Sequence, residues 1–153
     1  MKQKPHIEYG GGGMRFIAVV LDTLILLPIN VLLISVFSSL PLMGLVANIA
    51  LQMTYYIGFL SGPWRATPGK RVMGLYVVST QGLGALSKEQ AALRFIAYHI
   101  PTFPIYTSLI DGMSAEVMMM ALFGVWFIPI LMTEEKTGVH DLLCHTRVMK
   151  GQL

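Results

Sequence analysis

One cysteine in 153 residues, Cys144, excludes an internal disulfide, so helix packing and the surrounding medium must hold the fold. Charge is scarce as well: 12% of the residues are Asp, Glu, Lys or Arg, about half the usage of soluble globular chains. With 54% apolar residues and a mean hydropathy of +0.64, the chain cannot cover itself with polar side chains. Its start does not run from a basic segment directly into an apolar core, so no cleavable signal is expected. No nucleophile and base stand in a recognisable pairing, so the chain does not read as an enzyme. No cofactor and no metal are expected. His140, Cys144 and His145 match neither CxxC nor HExxH, and the basic segment at 67–71 lacks the GxxxxGK[ST] frame of a phosphate loop. The formal charge of +3 fits a charge bias in the cytoplasmic segments of a membrane protein better than nucleic-acid binding.

Four apolar stretches are present, at 14–38, 43–60, 89–110 and 115–133. The first is long enough to cross about 30 Å of hydrocarbon at about 1.5 Å per residue, and the others are close to that requirement. Pro41 separates the first two. Pro101 and Pro104 are expected to kink the third, and Asp111-Gly112-Met113-Ser114 forms a turn before the fourth. Ser87-Lys88-Glu89-Gln90 fits a capping box, Ser87 bonding forward and Gln90 back, at the start of the third helix. All eleven Lys and Arg residues fall in the N-terminal segment, the middle loop and helix entries, or the tail, and none falls in the turns at 39–42 and 111–114. By the positive-inside rule that side is cytoplasmic. The expected architecture is an all-α membrane protein: a four-helix transmembrane bundle in a bacterial inner membrane, with both termini cytoplasmic. Residues 1–13, containing the Gly10–Gly13 run, are expected to be a flexible cytoplasmic N-terminus, 61–88 a polar cytoplasmic loop between helices 2 and 3, and 150–153 a C-terminal end. Within the loop, Thr67 and Pro68 are placed as N-cap and first position of a short helix. Residues 71–78 fit a helix continuation or a strand.

Few polar residues lie within the apolar runs. Arg15 and Asp22 are two turns apart, on roughly one face, with Asp22 about 10 Å deeper. An acid near a helix centre costs roughly 2.5–3.5 kcal/mol, so Asp22 should face the bundle and have a partner. It reads either as a proton or cation site or as a polar lock between helices. Depth arguments put His99 and the tyrosines Tyr55 and Tyr56 in the same layer, so His99 and Tyr55 read either as a proton relay with Asp22 or as a helix lock. Asp141 is expected at the cytoplasmic interface, paired with a base such as Arg15. Lys70 and Arg71, beside the membrane, are expected to attract anionic lipid head groups.

Three segments together resemble the RDD family of bacterial membrane proteins, named for one arginine and two aspartates. Met14-Arg15-Phe16-Ile17-Ala18-Val19-Val20-Leu21-Asp22 looks like its first-helix pattern, and Thr67-Pro68-Gly69-Lys70-Arg71-Val72-Met73-Gly74-Leu75-Tyr76-Val77-Val78 is similar to its middle-loop signature. Ala92-Leu93-Arg94 resembles the start of its next helix, and His140-Asp141 with Thr146 and Val148 its C-terminal motif; Cys144 and His145 stand where small residues would be expected. The resemblance covers nearly the whole chain, makes 14–149 one RDD-like transmembrane domain, and makes Arg15, Asp22 and Asp141 the name residues. It implies either a small transporter, with cation/proton antiport suggested for some members, or a non-catalytic accessory or scaffold subunit. Either would act as a homo-oligomer or within a larger membrane complex.

Overall fold

The computed structural model describes residues 8–102 and 112–151. The elements in chain order are strand β1 (Glu8–Tyr9), helix α1 (Gly12–Val36), helix α2 (Pro41–Ser61), helix α3 (Pro68–Val72), strand β2 (Leu75–Ser79), helix α4 (Lys88–His99), a 3-10 turn (Ile100–Thr102), helix α5 (Gly112–Phe127), helix α6 (Pro129–Met132), helix α7 (Val139–Leu143) and strand β3 (Thr146–Lys150).

Helices dominate, and α1 and α2 are long and apolar enough to cross a bilayer. At about 1.5 Å per residue their 25 and 21 residues extend about 37 and 31 Å. Only 17% of the most apolar window of α1, and none of that of α2, is buried within the protein. A core helix of a soluble protein hides its apolar side chains; here Phe16, Ile34 and Leu42 are 70–73% exposed, as lipid-facing residues are. Pro28 lies inside α1 without ending it, and Pro41 occupies the first turn of α2, where its missing N–H costs nothing. Between the two helices Asn48 donates to the Asn30 side chain at 2.8 Å and accepts from Gln52 at 2.6 Å, a short polar ladder.

The all-α expectation needs correcting, because a three-stranded antiparallel sheet of order β1-β3-β2 joins segments far apart in the chain. β2 pairs with β3 from Leu75↔Lys150 to Ser79↔Thr146, and Glu8 and Tyr9 pair with Lys150 and Met149. The cause is apolar alternation too short to read in isolation: Leu75, Val77 and Val148 are each at most 1% exposed and pack with Ala18, Leu60, Leu86 and Ala91 into one core. Residues 8–13 are therefore not a flexible spacer. Gly10 donates its N–H to the Val148 carbonyl at 2.9 Å, and a Cβ on it would meet Leu75 Cδ2 at 2.8 Å, while Gly12 and Gly13 already belong to α1. The segment at 71–78 resolves into the end of α3, a turn at Gly74 with φ +63°, and a strand.

Helix α4 begins where expected, with Ser87 Oγ accepting from the Gln90 N–H at 3.1 Å. Gln90 does not return to the cap. Its amide instead donates to the Cys144 carbonyl at 2.8 Å, tying α4 to the tail. α4 stops at His99, where Pro101 forces a 3-10 turn, so the third apolar run is not one continuous helix. The expected kink at Pro104, the rest of that run to residue 110, and residues 1–7 lie outside the described residues. α5 carries the fourth run and breaks at Ile128 before Pro129. Trp126 of α5 donates to the Ala97 carbonyl of α4 at 2.8 Å, which joins the second pair of helices.

Candidate functional site

Two buried carboxylates, Asp22 and Asp141, organise the polar end of the helices, and they are satisfied in different ways. Asp22 lies on α1 and is 1% exposed. Tyr55 of α2 donates to its Oδ1 at 2.8 Å, the Gly69 N–H of α3 donates to the same oxygen at 2.7 Å, and Thr67 donates to Oδ2 at 2.5 Å. Three neutral donors thus solvate the carboxylate, one from a hydroxyl on the neighbouring long helix and two from the start of α3. Pro68 at the first turn removes an N–H that would otherwise be orphaned and leaves the Gly69 N–H pointing at the acid. A glycine is required there, because a Cβ on Gly69 would lie 2.2 Å from the Ala18 carbonyl oxygen and 2.8 Å from Asp22 Cγ. Thr-Pro-Gly is therefore a docking motif: it presses α3 onto α1 at the point where α1 carries its acid.

Asp141, on α7 with no exposed surface, is held by charge. Arg15 Nη1 meets its Oδ2 at 2.6 Å, and Arg94 Nη2 of α4 approaches Oδ1 at 2.5 Å. The Arg94 contact is an ion pair and not an aligned hydrogen bond. Gly138 donates its N–H to Oδ2 at 3.1 Å. The guanidiniums are further committed: Arg15 donates to the Gly10 carbonyl at 2.8 Å and the Lys136 carbonyl at 2.6 Å, and Arg94 donates to the Thr146 hydroxyl. Lys136 adopts φ +50°, the left-handed conformation. The Arg15–Asp141–Arg94 cluster thus ties α1, α4, α7 and β3 together.

Burial pushes the Asp141 carboxyl up, but the Arg94 and Arg15 charges beside it more than offset that and hold it well below the usual carboxylate range. His140 is 2% exposed, and burial, only partly opposed by Asp141, lowers its pKa to about 3, so its imidazole is neutral. Its Nδ1 has no hydrogen-bond partner among the described residues.

Several sequence expectations change here. Asp22 pairs with neither Arg15 nor His99. Arg15 is turned to Asp141, and the His99 ring bonds the Phe95 carbonyl at 2.8 Å and packs against Tyr56. Tyr55 does reach Asp22. Lys70 is not a solvent-facing base: it is 8% exposed, with its ammonium 5.4 Å from the centre of the Tyr56 ring. Arg71 is exposed and stacks on Trp64 at 4.6 Å, as an interfacial base would. The sequence holds no pointer to Arg94 as the second partner of Asp141, and it places Thr67 and Gly69 in a cytoplasmic loop motif without linking them to Asp22. Spacing held no signal for Arg94, because α4 and α7 are joined only by the fold. The demand of Asp22 for donors and the adjacent Thr-Pro-Gly were both visible. Among the described residues no group of three His, Cys, Asp or Glu side chains is placed to hold a metal ion.

Alongside the two carboxylates lies a cavity of about 500 Å³ between α1, α2, α4 and α5. Its walls are chiefly apolar, with Phe16, Phe95, Phe123 and Leu131 among them, and Arg15, Lys70 and Arg94 reach it, whereas Asp22 does not line it.

Long apolar helices with exposed apolar faces, pinned at one end by a buried arginine–aspartate network under a small sheet, define a helical protein of membrane type. A family comparison agrees: the model of the RDD family matches residues 9–145, and the chain belongs to that family. It is also similar to the protein named "Uncharacterized protein YxaI" of Bacillus subtilis (strain 168), at 31% identity over 101 residues, which cover 66% of this chain and 54% of that protein. The chain thus spans about half the length of this relative. No solved structure matches.

Proposed function

We propose that this RDD-family chain is a non-catalytic, multi-pass module of a bacterial inner membrane, an accessory or scaffold subunit that works as a homo-oligomer or within a larger membrane complex. The observation that carries this reading is the sealing of Asp22, which is 1% exposed, does not line the cavity and, among the described residues, takes donors only from Tyr55, Thr67 and Gly69. A coupling acid must be reached by its proton or cation during turnover. This one is spent on fixing α3 to α1, and Asp141 is likewise spent on Arg15 and Arg94.

Four membrane crossings with cytoplasmic ends remain the topology we favour. Because β1, β2 and β3 share one sheet, the chain must return to the same side between each of them. α1 and α2 give one return, and the runs through α4 and α5 supply the other. The one-sided bases then put that end in the cytoplasm. The exposed apolar faces of α1 and α2 are available to lipid or to partner helices. A second reading, a cation/proton antiporter, draws support from the cavity beside the buried ionisable groups, with Asp22 no longer its natural coupling residue.

Cross-linking in native membranes followed by sizing tests the proposal. The expected result is a stable assembly larger than one chain. A monomer that catalyses cation-dependent proton movement by itself would overturn it.

A further inference from the structure

The cavity has properties that neither buried carboxylate explains. Arg15, Lys70 and Arg94 line it, and among the described residues no Asp or Glu does. Asp141 lies just behind and serves both arginines, and Asp22 is occupied by neutral donors. Lys70 is the cation left over. Among the described residues no carboxylate lies within ion-pair distance of its ammonium, whose recorded contact is the face of Tyr56. A buried cation with only a ring for company is costly, and an anion brought to it removes that cost. Much of the rest of the lining is hydrocarbon: Phe95, Phe123 and Phe127 contribute to it, and Phe16 and Leu131, also in the lining, are 70% and 77% exposed. The cavity therefore reaches the surface that faces lipid, and its volume of about 500 Å³ falls within the usual range for small-molecule sites.

We propose that this cavity binds an anionic amphiphile from the membrane, with the negative head group at Lys70 and an acyl chain along the phenylalanine wall. The site rests on the membrane-embedded reading above and adds a ligand class to it. The surplus of positive charge selects the head; Arg15 and Arg94, already shared with Asp141, raise the local potential without being drawn away from the brace. Phosphate and carboxylate heads share this chemistry, so a phospholipid and a free fatty acid are its two sources.

The test uses the full chain, extracted from membranes in neutral detergent and titrated with phosphatidylglycerol, phosphatidylcholine of the same chains, oleate, and inorganic phosphate, with bound species counted by native mass spectrometry. Wild type should prefer phosphatidylglycerol over phosphatidylcholine by about fivefold, the effect of one base near an anionic head, and inorganic phosphate should not compete. Lys70→Gln should abolish the preference. Leu131→Trp, at an exposed position on the cavity lining, should weaken all three chain-bearing ligands while the fold stays intact. Should Lys70→Gln fail to fold, the wild-type protein answers: its preference should fade as pH rises through about 8, where Lys70, lowered by burial and by Arg94 and Arg15 against the pull of Asp22 and Asp141, loses its proton. Oleate displacing phosphatidylglycerol would assign the source to free acids, and the reverse to phospholipid, each supporting the shared chemistry. Equal binding of the two phospholipids, or competition by phosphate alone, would overturn the proposal. A chain recovered without detergent in the soluble fraction would instead fail the membrane reading.

Discussion

Asp141 sits between two guanidiniums with no exposed surface. Deleting Asp141 leaves both guanidiniums buried and unpaired, a loss of about 3–5 kcal/mol, whereas deleting Arg15 alone leaves Asp141 paired with Arg94, and once Asp141 is gone the loss of Arg15 removes an unpaired charge. A thermal-stability cycle of Arg15→Met and Asp141→Leu should therefore be non-additive, with a coupling of about 0.5–3 kcal/mol; additive losses would count against the pairing. At Gly69 the backbone carbonyl of Ala18 lies 2.2 Å from where a Cβ would stand, whereas a Cβ on Gly58 meets nothing within 4 Å. Gly69→Ala should thus destabilise by about 3 kcal/mol, at the upper end for overpacking, and Gly58→Ala should be neutral or mildly stabilising; equal melting temperatures for the two would contradict the docking geometry. His140 gives a pH signature. Its folded pKa is depressed to about 3, so the unfolded state takes up the proton first as pH falls. Stability is full above the ordinary histidine range and is lost as pH falls from there toward 3, by about 1.4 kcal/mol per unit at most. His140→Gln should flatten that part of the stability profile. The Arg15 and Asp141 positions were legible from charge and interface depth alone. Arg94 was not, because its partner is brought near only when α4 and α7 fold together.

Among the elements, the long helices were the easiest to read and the short ones the hardest. An apolar run of spanning length announces itself through hydropathy, and the ends of α1 and α2 fall within two residues of the limits that the sequence implied. β2 and β3 are five residues each, and what makes them strands is their pairing across about half the chain, which no local pattern encodes. The same holds for β1, hidden beside a glycine run that read as a spacer. α3 stands between these cases: its Thr-Pro start was visible, but its attachment depends on the Asp22 carboxylate. Between α1 and α2 the Asn30–Asn48–Gln52 ladder is a second polar contact beside that of Tyr55 with Asp22, and hydrogen bonds between membrane helices average about 0.6 kcal/mol. Asn48→Leu should lower stability by about that amount and leave topology unchanged; loss of insertion would mean that the ladder does more than join two helices.

For the whole molecule, the sheet gathers the N-terminal segment, the middle loop and the tail at one end of the helices, and the arginine–aspartate cluster fastens that cap. Reporter fusions at Gly84 and Gly112 should give opposite locations, Gly84 on the cytoplasmic side; the same side for both would remove the second pair of crossings. Dye-reported proton movement in proteoliposomes holding wild type or Asp22→Asn, challenged with sodium and potassium gradients, distinguishes the proposed structural clamp at Asp22 from a coupling site. Asn can no longer accept from Tyr55, Thr67 and Gly69 as the carboxylate does, so the account predicts a lower melting temperature for the variant and, for both proteins, proton movement no greater than in empty vesicles. Cation-driven proton movement by wild type, abolished in a correctly inserted and equally stable Asp22→Asn, would contradict it.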